Sequence, residues 1–144
     1  MASKLYGQFL SQALNKEIDW DTDTIKVALL TNSYTPDQDA HNYLDDVIAN
    51  EVTGTGYTAG GNTLANKTNS YNSSTNVITL DADDTTWSSS TITARYAVIY
   101  DASPSTNATK PLIGYVDFGS DQSSSNGNFT ITWDATGIVR ITVA

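Results

Sequence analysis

The sequence predicts an all-β protein: an antiparallel β-sandwich, jelly-roll-like, with a short N-terminal helix and one further short helix. Two observations carry this. Apolar and aromatic residues alternate with polar ones through Thr91–Ser103, Lys110–Ser120 and Gly127–Ala144, the period-two pattern of half-buried antiparallel strands. Thr, Ser, Asn and Gly are abundant while Lys and Glu are scarce; Thr favours strands, and Ser, Asn and Gly favour the turns between them. The 144 residues suit one domain spanning 1–144, with no internal repeat and no linker to divide it. An up-and-down barrel is the alternative closure.

The elements follow in chain order. Leu5, Phe9, Ala13 and Leu14, flanked by Tyr6 and Leu10, recur at helical spacing, so Lys4–Leu14 is predicted helical, with Ser3 as its cap. Ile25, Val27 and Leu29 alternate with Lys26 and Ala28, predicting a strand over Thr24–Thr31. Pro36 places a turn at Tyr34–Asp37. Tyr43, Leu44, Val47 and Ile48 share one helical face, and Asp45 and Asp46 suit its first turn, so Asn42–Val52 contains the second helix. Four glycines around Tyr57 make Gly54–Thr68 a loop feeding a strand near Thr63–Thr68. Asn69–Asn76 reads as a polar turn, Asn76–Asp81 as a strand and Asp83–Ser90 as a loop carrying Trp87. Strands are predicted at Ile92–Tyr100, Leu112–Phe118 and Asn128–Trp133, with Ser120–Asn128 as a surface loop. The Asp134–Gly137 turn and a strand over Gly137–Val143 suggest a final hairpin.

Charge and composition narrow the function classes. Sixteen acidic against seven basic side chains give a net charge of −9, which repels nucleic acid. No run of roughly 18 apolar residues offers a membrane span, and the N-terminus has no secretory-type apolar stretch. No nucleic acid, membrane or cofactor is expected as a partner. With no Cys and one His, disulfides and thiolate metal sites are excluded, and acid–base or nucleophilic chemistry has little to draw on.

Candidate sites are few. Asp19, Asp21 and Asp23 alternate as the first ligands of an EF-hand loop do. Thr24 and Leu30 stand where that loop needs Gly and Glu, so these are weak Ca²⁺ candidates beside a turn-forming role. Asp81, Asp83 and Asp84 form a second such cluster. His41 stands alone in a loop, with no G-x-S-x-G elbow elsewhere. The glycines of GTGYTAGG lack the Lys-Ser/Thr of a phosphate loop. Arg95, inside an apolar run, is expected to pair with Asp117. Paired carboxylates with Trp20, Trp87 and Trp133 leave sugar binding or hydrolysis as rivals, the first needing a surface row of aromatics and the second two convergent carboxylates.

Taken in order, KLYGQFLSQALNKEIDWDTDTIKVALLTNSYTP, GYTAGGNTLANKT, TARYAVIYD, PLIGYVDFG and TWDATGIVRITVA resemble a family of small virion structural proteins of tailed bacteriophages. The resemblance spans nearly the whole chain. It implies a non-catalytic protein made in the bacterial host cytoplasm and located in the virion. The role it favours is head decoration: a cement protein on the outer capsid surface that bridges major capsid protein subunits, with a homo-oligomer, such as a trimer, expected. A tail- or fibre-associated attachment module that binds carbohydrate is the alternative. Candidate contact residues are Lys4, Leu5 and Phe9 in the N-terminal segment and Gly54, Tyr57, Gly60 and Gly61 in the glycine-rich loop.

Overall fold

The computed structural model describes residues 2–143; Met1 and Ala144 of the expected 1–144 unit lie outside them. Its elements are β1 (Ala2–Leu5), α1 (Phe9–Leu14), β2 (Ile25–Leu30), β3 (Asn62–Thr63), β4 (Thr68–Asn72), β5 (Val77–Asp81), β6 (Thr85–Asp101), β7 (Leu112–Ile131) and β8 (Val139–Thr142). Single 3₁₀ turns lie at Leu44–Asp46, Ile48–Asn50 and Asn107–Thr109. One sheet has the order β1-β7-β6-β2-β3 and the other β4-β5-β8. Every pairing is antiparallel. The all-β class and the two-sheet architecture expected from the sequence are what the chain forms.

The larger sheet is buried on both faces where β2, β6 and β7 meet. Ile25, Val27 and Leu29 enter a core shared with Leu80 and Val139 of the smaller sheet and with Phe9 of α1. Ala28 and Leu30 point the other way, into a second cluster with Tyr6, Tyr34, Leu44 and Val47. The segment from Thr31 to Asn50 covers that outer face. Two-sided burial explains why VALL in β2 and AVIY in β6 read as continuous apolar runs rather than strict alternation.

Several expected elements are corrected. The N-terminal helix is shorter: Ala2–Leu5 is a strand paired with β7 from Ala2↔Asp117 to Leu5↔Gly114. The helix begins at Phe9, with Gln8 rather than Ser3 before it and no side-chain cap. Pairing with β7, together with Leu5 and Tyr6 packing into opposite clusters, overrides the helical spacing. The second helix is two 3₁₀ turns that bury Leu44 and Val47. The turns near Pro36 fall at Asn32–Ser33 and Gln38–Ala40, not at Tyr34–Asp37, because Tyr34 is buried. The strand expected at Thr63–Thr68 is the two-residue β3; of the polar turn expected at Asn69–Asn76, the first half is the end of β4 and the second half, 73–76, is a turn.

The loops expected at Asp83–Ser90 and Ser120–Asn128 lie mostly within β6 and β7. These long strands pair from Thr85↔Ile131 to Tyr100↔Leu112, with register shifts between Trp87 and Ser90, between Ser90 and Ile92, between Ala94 and Tyr96 and between Ile99 and Tyr100. Hydroxyl pairs bind the polar stretches together: Thr86–Thr130 at 2.9 Å, Ser90–Ser124 at 2.7 Å and Thr93–Ser123 at 2.7 Å. The last strand does not form a hairpin with its predecessor; β8 pairs with β5.

Candidate functional site

The expected contact residues divide by exposure. Lys4 and Gly54 are exposed, Leu5, Tyr57 and Gly60 are partly buried, and Phe9 and Gly61 are buried. Phe9 is 3% exposed and belongs to the inter-sheet core, so it cannot reach a partner in this conformation. On α1 the outward apolar residues are instead Leu10 and Leu14, 46% and 85% exposed, which share a face at i, i+4 spacing.

The glycine-rich loop is tied down. The Tyr57 hydroxyl accepts the Leu29 N–H at 3.0 Å and donates to Glu51 Oε1 at 2.7 Å. Its ring stacks on Trp87 at 6.0 Å. Burial, with the Glu51 carboxylate beside it, raises the Tyr57 pKa far above a free phenol. The Gly60 N–H donates to the same Glu51 oxygen at 2.6 Å, and Tyr100 donates to the Gly60 carbonyl at 2.8 Å. Gly61 has φ +73°, and a Cβ there would lie 1.8 Å from the Val27 carbonyl oxygen. Only glycine lets this backbone lie against β2.

The acidic residues are engaged locally. Asp19 Oδ1 accepts the N–H groups of Asp21 and Thr22, and Asp23 Oδ2 accepts that of Asp19. These bonds lower the Asp19 pKa, the Thr22 N–H contributing most. The Lys67 ammonium donates to the carbonyls of Trp20, Asp21 and Asp23, so a fixed cation already occupies this turn. Asp81, Asp83 and Asp84 accept from Ala82, Asn66 and Trp133 respectively. Among the described residues, no three His, Cys, Asp or Glu side chains come together as a metal site.

Arg95 and Asp117 form the expected pair, Nε–Oδ1 at 2.7 Å with a second contact at 3.3 Å. That hydrogen bond holds Asp117 below the usual carboxylate range and raises Arg95. His41 Nδ1 lies 3.0 Å from the Tyr34 hydroxyl, which bonds the Tyr6 hydroxyl at 2.8 Å. Burial raises Tyr6 strongly and pushes Tyr34 up to about 12.

Surface clefts include two of similar size, beside a smaller one of about 300 Å³ walled by Thr31, Glu51–Thr53 and Thr91–Thr93. One, of about 430 Å³, lies between Ser3–Leu5 of β1, Gly114–Val116 of β7 and the Ile131–Arg140 segment. The other, about 450 Å³, is a groove along β7 lined by Phe118, Gln122, Asn128, Phe129 and Thr130. The first contains one carboxylate, Asp134, and the second none. Sequence reading missed the first cleft because its walls come from the two ends of the chain. Arg140 on the β-patterned last segment is the signal that could have marked an edge strand there; Lys4 stands in a segment of helical spacing and carries no such signal. No helix among the described residues is long and apolar enough to cross a membrane. No protein family, curated protein or solved structure matches this chain.

Proposed function

We propose that the chain is a phage virion structural protein that decorates the outer capsid surface and stabilises the major capsid lattice by bridging subunits. The observation that carries this reading is the ordered set of segments from Lys4–Pro36 to Thr132–Ala144 resembling small virion proteins. The fold is compatible with it: loops held by internal hydrogen bonds give a rigid β module that needs no chemistry to act. A module that binds assembled subunits better than free ones shifts the equilibrium toward the lattice, and many copies bridging neighbours strengthen weak individual contacts. The sugar-binding attachment alternative calls for a surface row of aromatics. Trp20 and Trp87 are 5% and 2% exposed, and only Trp133 is partly open. Electron cryo-microscopy of the virion tests the proposal. Density for the chain on the outer head lattice supports decoration. Density confined to the tail brings the attachment module forward.

A further inference from the structure

We infer that the open side of the sandwich, between β1 and β8, is a docking site for one extended strand of another polypeptide, with apolar side chains turned inward and carboxylates turned toward Lys4 and Arg140. β1 and β8 are the terminal strands of their respective sheets, and both line the 430 Å³ cleft. The Tyr6 N–H donates to the Ile113 carbonyl at 3.1 Å, one step beyond the Leu5↔Gly114 pair. Antiparallel alternation then makes Lys4 the hydrogen-bonded partner of Tyr115 and turns the N–H and C=O of Ser3 and Leu5 to the free edge. On β8 the Val143 N–H donates to the Asn76 carbonyl at 2.8 Å, one step beyond Thr142↔Val77. By the same alternation, Arg140 and Thr142 present their backbone groups outward. The strand-like row of donors and acceptors selects an extended backbone, the recognition mode of β-augmentation.

The side chains specify which strand. Leu5, Ile131 and Val139 form the cleft's apolar lining, beside Trp133, whose buried indole N–H has no partner among the described residues. Lys4 and Arg140 are exposed and form no ion pair among the described residues, where Arg95–Asp117 is the salt bridge present. Asp134, also on the rim, accepts from Thr136, which donates from its N–H at 2.8 Å and its hydroxyl at 2.6 Å; these bonds lower its pKa, and the Arg140 charge adds to this without forming a salt bridge. Two exposed cations that form no salt bridge among the described residues, flanking the opening of a chain with net charge −9, favour carboxylates opposite them. They disfavour a second copy's β1, because antiparallel β1–β1 pairing about Lys4 sets two lysines face to face.

The inference does not depend on the capsid reading, and its test uses the isolated chain. In amide correlation spectra, a capped seven-residue peptide alternating Glu and Val is titrated, then its counterpart with Lys for Glu. The Glu peptide is expected to shift Ser3, Leu5, Arg140, Thr142 and their neighbours and to bind more tightly than the Lys peptide. Ser3→Pro removes an outward N–H without touching the β1–β7 pairing and abolishes those shifts. Lys4→Glu with Arg140→Glu keeps both edges and weakens binding of the Glu peptide by about two- to fivefold per reversed charge, reversing the preference. Three results overturn the inference: no shifts at millimolar peptide, shifts elsewhere, or equal binding of the two peptides. A wild-type dimer that Ser3→Pro dissociates also overturns it, since the occupant is then a second copy.

Discussion

Tyr57 and Asp101 show how single polar groups hold this β structure. The Tyr57 hydroxyl satisfies the Leu29 N–H, which lies beyond the short β3 strand and has no ladder partner on that side. Tyr57→Phe leaves that buried N–H unpaired and is expected to lower stability by about 1–3 kcal/mol, measured by denaturant unfolding. Asp101 is fully buried. Its Oδ1 accepts the Ser103 N–H at 2.8 Å, while Oδ2 has no donor. Burial, with the Asp23 carboxyl within hydrogen-bonding reach, pushes its pKa from 3.8 up to about 6. Because the folded pKa is raised, the stabilisation is fully present below the unfolded value and is lost as pH rises through about 6. Asp101→Asn is therefore expected to match the wild type near pH 4 and exceed it by about 2–3 kcal/mol at pH 7.5. Unfolding free energies at the two pH values check this. A difference that does not grow with pH contradicts it. The role of Asp101 is not legible in the sequence, where it is one more Asp after an apolar run; depth of burial decides it.

At the scale of elements, apolar patterning was a sound guide and polar stretches were not. Thr24–Thr31, Asn76–Asp81, Ile92–Tyr100 and Leu112–Phe118 each locate a real strand, because alternation reports burial directly. The stretches at Asp83–Ser90 and Ser120–Asn128 read as loops because they are rich in Ser, Thr, Asp and Asn, although Thr85, Trp87 and Ser90 are buried. They become strand by pairing with distant segments, Thr85–Trp87 with Phe129–Ile131 and Gln122–Ser124 with Ile92–Ala94. The short α1 was recognisable, but its start was not, since β1 competes for the same residues. Its C-terminal end contains a testable strain. Lys16 takes φ +63°, and its N–H and that of Glu17 return to Ala13 and Gln12, as at a glycine-terminated helix. Lys16→Gly is expected to raise stability by about 0.5–1 kcal/mol, seen as a higher denaturation midpoint at unchanged slope.

For the whole molecule, the N-terminal segment is part of the fold rather than a detachable arm. β1 pairs with β7, and Tyr6 and Phe9 enter the two apolar clusters. Removing residues 1–15 is expected to abolish cooperative thermal unfolding, so loss of capsid binding by that truncation says nothing about contact. Leu10→Glu with Leu14→Glu is the cleaner probe. Both are exposed, so stability should change by less than about 0.5 kcal/mol, while capsid occupancy falls if this face bridges subunits. The sequence by itself determined the all-β class, most apolar strands, the Arg95–Asp117 pair and the glycine-rich loop, because alternation, charge within an apolar run and clustered glycines are local signals. Tertiary structure alone decided the two-sided burial of the central sheet, the pairing of β8 with β5, the Asp23–Asp101 contact and the cleft between β1 and β8. Each of these depends on which distant segments pair, and a free edge exists only once every other strand has found its neighbour.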